Sequence, residues 1–550
     1  MLVYGDHASE VAPAAALARL AADNGRFLSH DTLRSRFIAL AGIAQGVADH
    51  DFHLARCDRQ RPAEAILLAA LTSLGGALLQ SWDEGCAGAE APPLTIPDGL
   101  PGRVLVRLPE GYAFYALYPE AYGLAARRLE LSGTARVIGL RSIGAGLAAV
   151  VAAALGASPP VTLRPAGDPF ARKLRLEPGF AAELLGGDPH FVIVDEGPGL
   201  SGSSFGGVAD WLEAQGVEPT RIAFLPGHDG DLGQHASERH RERWARVQRP
   251  VAKVDRLRSW VEALLGPVDR WDDLSGGRWR PLWSAAETDW PAVTPMWERA
   301  KFRVRAGGVD WLVRFAGLGT IGEEKLALAR LLQRAGFGAE VAGLTHGWLV
   351  QRWHDEARPA RPSLDQLAAY LRLRAFLPAA QGASLNDLVT MVRRNAPDWE
   401  CWSPPIERLQ ALVRAVRVDG RLQAHEWLRL PGGQLIKADA LDHHQGHDLV
   451  GCQDLAWDVA AAGIELDLGT EEVHALEMAL GVEPELTRFY QIAYAAFRLG
   501  AHRLSEELCA VDEHARHRAA AKRYELALVD AVQRSGDLDQ SLVRGVEALA

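Results

Sequence analysis

No two of the five cysteines form a CxxC pair: Cys57, Cys86, Cys401, Cys452 and Cys509 are scattered over 550 residues. That spacing argues against a zinc ribbon and against a disulfide framework. No run of about 18 apolar residues reads as a membrane span. The first thirty residues, with Asp6, Glu10 and Asp23, lack a signal-peptide pattern. Basic residues are in deficit, 59 Lys and Arg against 70 Asp and Glu, for a net charge of −11 and a pI near 5.9. Such a balance argues against general nucleic-acid binding and against a membrane-surface role, while leaving room for a local basic pocket. The expectation is a cytoplasmic protein with no membrane partner; no feature reports its oligomeric state. An apolar fraction of 48% is ample for the two or three domains that this length implies.

The most informative stretch is Phe191–Trp211, FVIVDEGPGLSGSSFGGVADW. Phe191–Val194 reads as a short buried strand, followed by the acidic pair Asp195-Glu196 and the turn-rich loop Gly197–Ser204. A helix opens near Ser204, with Phe205, Val208, Ala209 and Leu212 at helical spacing. Carboxylates at a strand end, then small residues at a helix N-terminus, can aim several N–H groups at one phosphate. The alternative is an ordinary strand–turn–helix of an α/β domain.

This stretch resembles the ribose-phosphate motif of type I phosphoribosyltransferases. The resemblance implies that Asp195 and Glu196 hold ribose hydroxyls of phosphoribosyl pyrophosphate, or of a related ribose 5-phosphate compound, at the catalytic centre. Ser201, Gly202, Ser203 and Ser204 would then wrap the 5-phosphate. The spacer GPGL is one residue longer than is usual in that family. A second strand–loop–helix, Arg136–Leu155, matches the family's pyrophosphate loop at Arg141, Ser142, Ile143, Gly144 and Ala145. Arg141 would offer a bidentate fork to phosphate oxygens. Between the two lies Arg164–Arg175, either a basic loop over pyrophosphate or a solvated charge run. Mg²⁺ would be the cofactor, and the acceptor is not readable.

In chain order, residues 1–95 read as a helical segment, with Ala14–Ala22, Leu33–Ala48 and Ala63–Leu79 rich in Ala and Leu. Residues 96–250 alternate strands and helices: Arg103–Leu108, a helix over Tyr118–Leu131, then Val137–Leu140, Val161–Arg164, Phe191–Val194 and Ile222–Leu225. That alternation predicts a mainly parallel sheet with ligands at the carboxyl ends of its strands. Residues 251–295 form a Trp-rich connection, with Trp260, Trp271, Trp279, Trp283 and Trp290 read as a packing surface or as a stacking platform for a base.

Residues 296–550 contain an alternating hairpin, Lys301–Val304 and Trp311–Phe315, a helix from Glu323, and the strand Gly347–Trp353. Gln434–Ala438 leads into Asp439, and QDLAWD carries Asp454 and Asp458. This half resembles the aminoglycoside-phosphotransferase branch of the protein-kinase-like fold. The resemblance implies nucleotide binding through Arg314, in place of the phosphate-binding lysine, with Glu324 at the position of its glutamate partner. Asp439 would bind metal and Asp454 would be the structural aspartate, with ATP the second candidate ligand. The family's catalytic loop reads histidine, a small residue, aspartate, with asparagine five residues later. Here the candidate is His425-Glu426-Trp427 with Gly432, and the interval to Asp439 is short for that loop. The expectation is therefore a degenerate module, nucleotide-binding or structural. The cluster Asp439, Asp442, His443, His444, His447 and Asp448 reads as a metal site or as a polar loop.

The expected fold is thus α/β: a parallel-sheet phosphoribosyltransferase-like domain, a helical N-terminal segment and an α+β kinase-like C-terminal domain. The leading function is phosphoribosyl transfer. The alternatives are ATP-dependent phosphorylation of a small molecule by the C-terminal half, and a sensor that binds a nucleotide or phosphoribosyl compound without turnover.

Overall fold

The computed structural model describes every residue except Asp6, Pro169, Leu200, Gln234, 444–447 and 536–550. The chain divides into two compact units. The N-terminal unit comprises Ala8–Trp260 and Ala316–Glu323; the C-terminal unit comprises Met1–His7, Val261–Phe315 and Glu324–Ala550.

The N-terminal unit contains two long helices, α1 (His30–Ala55) and α2 (Pro62–Asp83). Ser29 caps α1 by accepting from the Thr32 N–H. Pro62 sits in the first turn of α2, where the missing N–H would have had no helical partner. By length and composition α2 is apolar enough to cross a membrane. In this fold Leu67, Leu68, Leu71, Leu74 and Leu78 are instead buried in one core with Leu33, Phe37, Leu40 and Val150. The strand Val104–Arg107, read as part of the βα alternation, pairs antiparallel with Ala8–Val11.

The sheet that carries the opening motif is built from β1 (Ala135–Leu140), β2 (Val161–Leu163), β3 (His190–Val194) and β4 (Ile222–Leu225). All pairings are parallel, in the order β2-β1-β3-β4. Continuous apolar runs such as FVIV and IAFL suit strands covered on both faces. Helix α3 (Gly144–Leu155) packs with α1 and α2, and Gly156 ends it at φ +60°. Helix α4 (Ser203–Ala214) buries Phe205, Val208 and Leu212 with Phe180, Phe224 and Trp244.

In the C-terminal unit, β5 (Val268–Asp273), β6 (Lys301–Ala306), β7 (Val309–Phe315), β8 (Val341–Thr345) and β9 (Trp348–Arg352) form an antiparallel sheet in the order β8-β9-β7-β6-β5. Residues 251–295, read as a connection, thus supply its edge strand. Gly307 and Gly308 turn the β6–β7 hairpin at φ +58° and +77°, the conformation a two-residue primed turn requires. Helix α5 (Thr320–Arg334) follows β7, and its residues from Glu324 belong to this unit. The remainder is mainly helical: α6 (Leu364–Ala375), α7 (Ala456–Glu465), α8 (Pro484–Leu508) and α9 (Val511–Ser535). A short hairpin, β10 (Trp427–Arg429) with β11 (Leu435–Lys437), lies between α6 and α7 in sequence. Trp457 meets Tyr490 and Tyr494 edge-on in the helical core.

Gly139 in β1 has no room for a side chain. A Cβ there would lie 2.4 Å from the Gly144 carbonyl oxygen and 2.9 Å from Ala148 Cβ. Gly139→Ala is expected to cost about 1–3 kcal/mol by overpacking the β1–α3 junction. Urea unfolding should show a lower midpoint at an unchanged slope; an unchanged midpoint would show that the junction yields freely.

Candidate functional site

Gly139 of β1 lies beside Val194 of β3, so the loops that begin at Arg141 and Asp195 leave the same carboxyl edge of the sheet. Their side chains are used differently from the expectation. Arg141 turns into the protein, with its side chain 2% exposed. It donates to Asp49 at 2.9 Å, to the Thr162 hydroxyl at 3.0 Å, and to Asp58. Its fork is therefore occupied by carboxylates and is not presented to pyrophosphate. Arg164 also pairs with Asp49, and the Thr162 hydroxyl donates to Glu64 at 2.7 Å. Burial pushes the Glu64 carboxyl up to about 7. Ser142 is partly buried, and a Cβ on Gly144 would meet the Val194 carbonyl oxygen at 2.9 Å.

Asp195 and Glu196, the pair expected to hold ribose hydroxyls, are partly buried. The Glu196 N–H donates to Asp195 Oδ1 at 2.8 Å, and the Tyr122 hydroxyl donates to the Asp195 carbonyl at 2.9 Å. Burial raises Asp195 to about 7. Burial, reinforced by Glu110 and by Asp195, raises Glu196 to about 8. Burial thus moves both titrations to near neutrality, where the protonated form of each can both donate and accept.

Beyond them, Gly202 caps α4 at φ +64°, and a Cβ on it would press on Leu232 at 2.9 Å. Ser201 Oγ accepts from the Ser203 N–H at 3.2 Å. Arg172 donates to Ser204 Oγ at 3.1 Å, which brings one basic residue of Arg164–Arg175 to the helix N-terminus. Leu200 in this loop lies outside the described residues.

In the C-terminal unit the groups that come together differ from those the sequence suggested. Asp419 lies at the centre, with Glu426 of the 425–427 stretch beside it. The Asp458 carboxylate at the start of α7 accepts from the N–H groups of Asp419 at 2.7 Å and Gly420 at 2.9 Å. Asp454, four residues earlier, accepts instead from the Arg414 and Ala456 N–H groups. Arg374 of α6 donates to the Arg417 carbonyl at 3.1 Å and to the Ala440 carbonyl at 2.9 Å, and Tyr370 donates to the Asp419 carboxylate. Trp427 is buried in β10, and His425 stacks on Trp279 at 5.9 Å. Burial, aided by Lys437, holds His425 near 3, a neutral imidazole.

Lys437, at the end of β11, projects its ammonium among oxygens. It donates to Glu426, to the Asp439 carbonyl at 2.6 Å and to the Arg421 carbonyl at 3.2 Å, with Asp419 Oδ1 at 3.5 Å. His443 bridges Asp419 and Asp439, each at 3.3 Å. Burial opposes its charge, but Asp439, Asp419 and Glu426 outweigh burial and raise it to about 9. Asp439 is also met by Arg314 at 3.2 Å and remains 44% exposed. The expected helix partner of Arg314, Glu324, lies 3.9 Å from Arg417. The neighbouring Lys325 is buried against Asp442.

The ligand atoms of Asp419, Glu426 and His443 lie within 4.8 Å of one another, the one such group among the described residues. Mg²⁺ does not fit it as it stands, because the Lys437 ammonium already bonds to Glu426 and to the Asp439 and Arg421 carbonyls. Asp439, expected to bind metal, is shared by Arg314 and His443. His444 and His447 lie outside the described residues. Asp419 was not singled out in the sequence, because its partners Tyr370, Lys437, His443 and Asp458 are distant along the chain.

No protein-family model and no curated protein matches the chain. Similar solved structures include choline kinase LicA from Streptococcus pneumoniae, 16% identical, covering 49% of this chain and 97% of that one at a TM-score of 0.33. Spectinomycin phosphotransferase APH(9)-Ia is 12% identical, covering 51% and 98% at 0.33. A thermostable mutant of aminoglycoside phosphotransferase APH(4)-Ia is 13% identical, covering 52% and 100% at 0.31. The likeness is to a kinase-like fold over about half the chain; at these scores and identities it carries no weight on activity. It lends no support to the phosphoribosyltransferase resemblance of residues 96–250.

The raised carboxyls predict how stability changes with pH. Ordinary values are 3.8 for aspartate and 4.5 for glutamate, against about 7 and about 8 for Asp195 and Glu196. Across that window the unfolded chain releases protons that the folded chain retains. Stability of the N-terminal unit therefore falls as pH rises through it, with Glu64 acting in the same direction. Asp195→Asn with Glu196→Gln should flatten the decline between pH 5 and 8 in urea-unfolding midpoints, leaving the share due to Glu64. A slope unchanged by the double substitution would show that these two carboxyls ionise normally.

Proposed function

We propose that the C-terminal unit is a kinase-like module that binds ATP or ADP beside Arg314 and Asp439 without appreciable phosphoryl transfer. Support comes from the antiparallel sheet with a guanidinium on β7, from the loop pinned by Asp458, and from Asp439 just after β11. The observation that carries the reading is that Asp419 and Asp439 are both engaged by cations of the chain itself. A general base must accept a proton. Burial opposes the charge on Asp419, but Lys437 and His443 hold its carboxylate below the usual range. Arg314, itself buried, pairs with the 44% exposed Asp439, and a phosphate that reached it would meet a charge-assisted fork. Calorimetry is expected to show ADP binding that Arg314→Ala weakens by about tenfold or more, the equivalent of one charge-assisted hydrogen bond. Robust ATP-dependent phosphorylation of choline or an aminoglycoside, abolished by Asp439→Asn, would replace this reading with that of an active kinase.

A second reading concerns the N-terminal unit, which we infer to be a binding site for a ribose 5-phosphate compound. It is favoured by two carboxyls that titrate near neutrality at the end of β3 and by the N-terminus of α4, with Arg172 beside Ser204. Mg²⁺ would enter as part of a phosphoribosyl pyrophosphate ligand. Asp195→Asn and Glu196→Gln should each weaken binding of phosphoribosyl pyrophosphate with Mg²⁺ by about 1.5–3 kcal/mol. Ser203→Ala should have a smaller effect, and Gly202→Val the largest, because valine at φ +64° is strained and obstructs close backbone approach. Calorimetry on the four variants gives the ordering. Wild-type protein that binds this ligand no better than free phosphate would eliminate the site.

A further inference from the structure

The C-terminal unit contains an oxygen cage of the kind that ordinarily holds a hard cation. Its members are Glu426 Oε2, the carbonyl oxygens of Asp439 and Arg421, and Asp419 Oδ1. They come from three places: the 3-10 turn that precedes β10, the segment that follows β11, and the loop held by Asp458. The cation at the centre is the Lys437 ammonium, whose side chain is 0% exposed. It is tethered by the strand that delivers Asp439, so it cannot leave as a solvated ion would. Asp439 meets Arg314 and His443, both with largely buried side chains. Among the described residues, the cations bonded or paired to this acidic group include Lys437, His443 and Arg314.

We propose that Lys437 takes the place of a divalent metal in this unit, so that a nucleotide is held by protein cations alone. The inference rests on the nucleotide-binding reading for its second half only; the exclusion of metal stands on the cage itself. A divalent ion entering among Asp419, Glu426 and His443 would have to displace or deprotonate a buried ammonium that already satisfies two carboxylates and two carbonyls. Phosphate oxygens reaching Asp439 would be met by Arg314.

The test uses the full-length chain and Mn²⁺ as probe, with free Mn²⁺ followed by its paramagnetic resonance signal in the absence of nucleotide. Wild type is expected to bind no Mn²⁺ that Glu426→Gln abolishes. Lys437→Met, which empties the cage while retaining its carboxylates, is expected to gain one Mn²⁺ that is lost again when Asp419→Asn is added. Should Lys437→Met fail to fold, the comparison of wild type with Glu426→Gln decides alone. Mn²⁺ bound by wild type and lost in Glu426→Gln overturns the proposal, whereas binding equal in both lies elsewhere and leaves it standing. In a second arm, ADP affinity is measured with EDTA and with Mn²⁺. Affinity equal within twofold supports a metal-free nucleotide site, and a tenfold loss in EDTA overturns it. No ADP binding under either condition removes the nucleotide reading, while the Mn²⁺ comparison still decides the role of Lys437.

Discussion

A charge removed from water must find its opposite within the fold, and this requirement determines where the chemically useful side chains point. Replacing one partner of a buried pair costs about 3–5 kcal/mol, far more than the net gain from the pair, so such groups are held where they are. Arg141 is turned inward by Asp49 and Asp58. Lys437 is fixed by Glu426 and Asp419, and Lys325 by Asp442. In each case a residue type suited to phosphate or metal chemistry satisfies an internal charge.

Where no such partner is supplied, protonation takes its place. Asp195 and Glu196 sit at a strand end, partly buried, with the Arg164 and Arg172 charges only a minor influence on Asp195. Their titration moves to near neutrality, which disfavours a double negative charge and lets the protonated form of each both donate and accept. This contrasts with Asp419 and Asp439. Burial is the largest influence on both, yet neighbouring cations overcome it and keep them ionised. The same residue type thus supplies different chemistry in the two units, according to whether a cation accompanies burial.

The loop that carries Asp419 shows how a polar segment is held in a core. Asp458 takes its N–H groups, Arg374 takes its carbonyls and Tyr370 takes its carboxylate. A loop satisfied on all these counts is rigid, and rigidity is what a site needs to fix ligand geometry. It also leaves little freedom for Asp419 to act as a base, which connects the anchoring of this loop to the proposed absence of phosphoryl transfer.

Local patterns were legible in the sequence because they depend on neighbours along the chain. The apolar runs at 191–194 and 222–225, the β6–β7 hairpin at its glycine pair and the helix opening near Ser204 are all set by side-chain periodicity and backbone freedom. The shared edge of the Arg141 and Asp195 loops also follows from the βα alternation, since parallel neighbours present the same ends. What the sequence could not disclose was the partner of each charge. Asp49 and Asp58 lie 92 and 83 positions from Arg141, and Arg314 meets Asp439 across 125. Nor could it decide between Asp454 and Asp458, four residues apart, because the choice depends on which carboxylate reaches the Asp419 loop. Periodicity acts through a few adjacent residues, whereas charge pairing acts through space, so elements were determined locally and the identity of the site residues only by the tertiary fold.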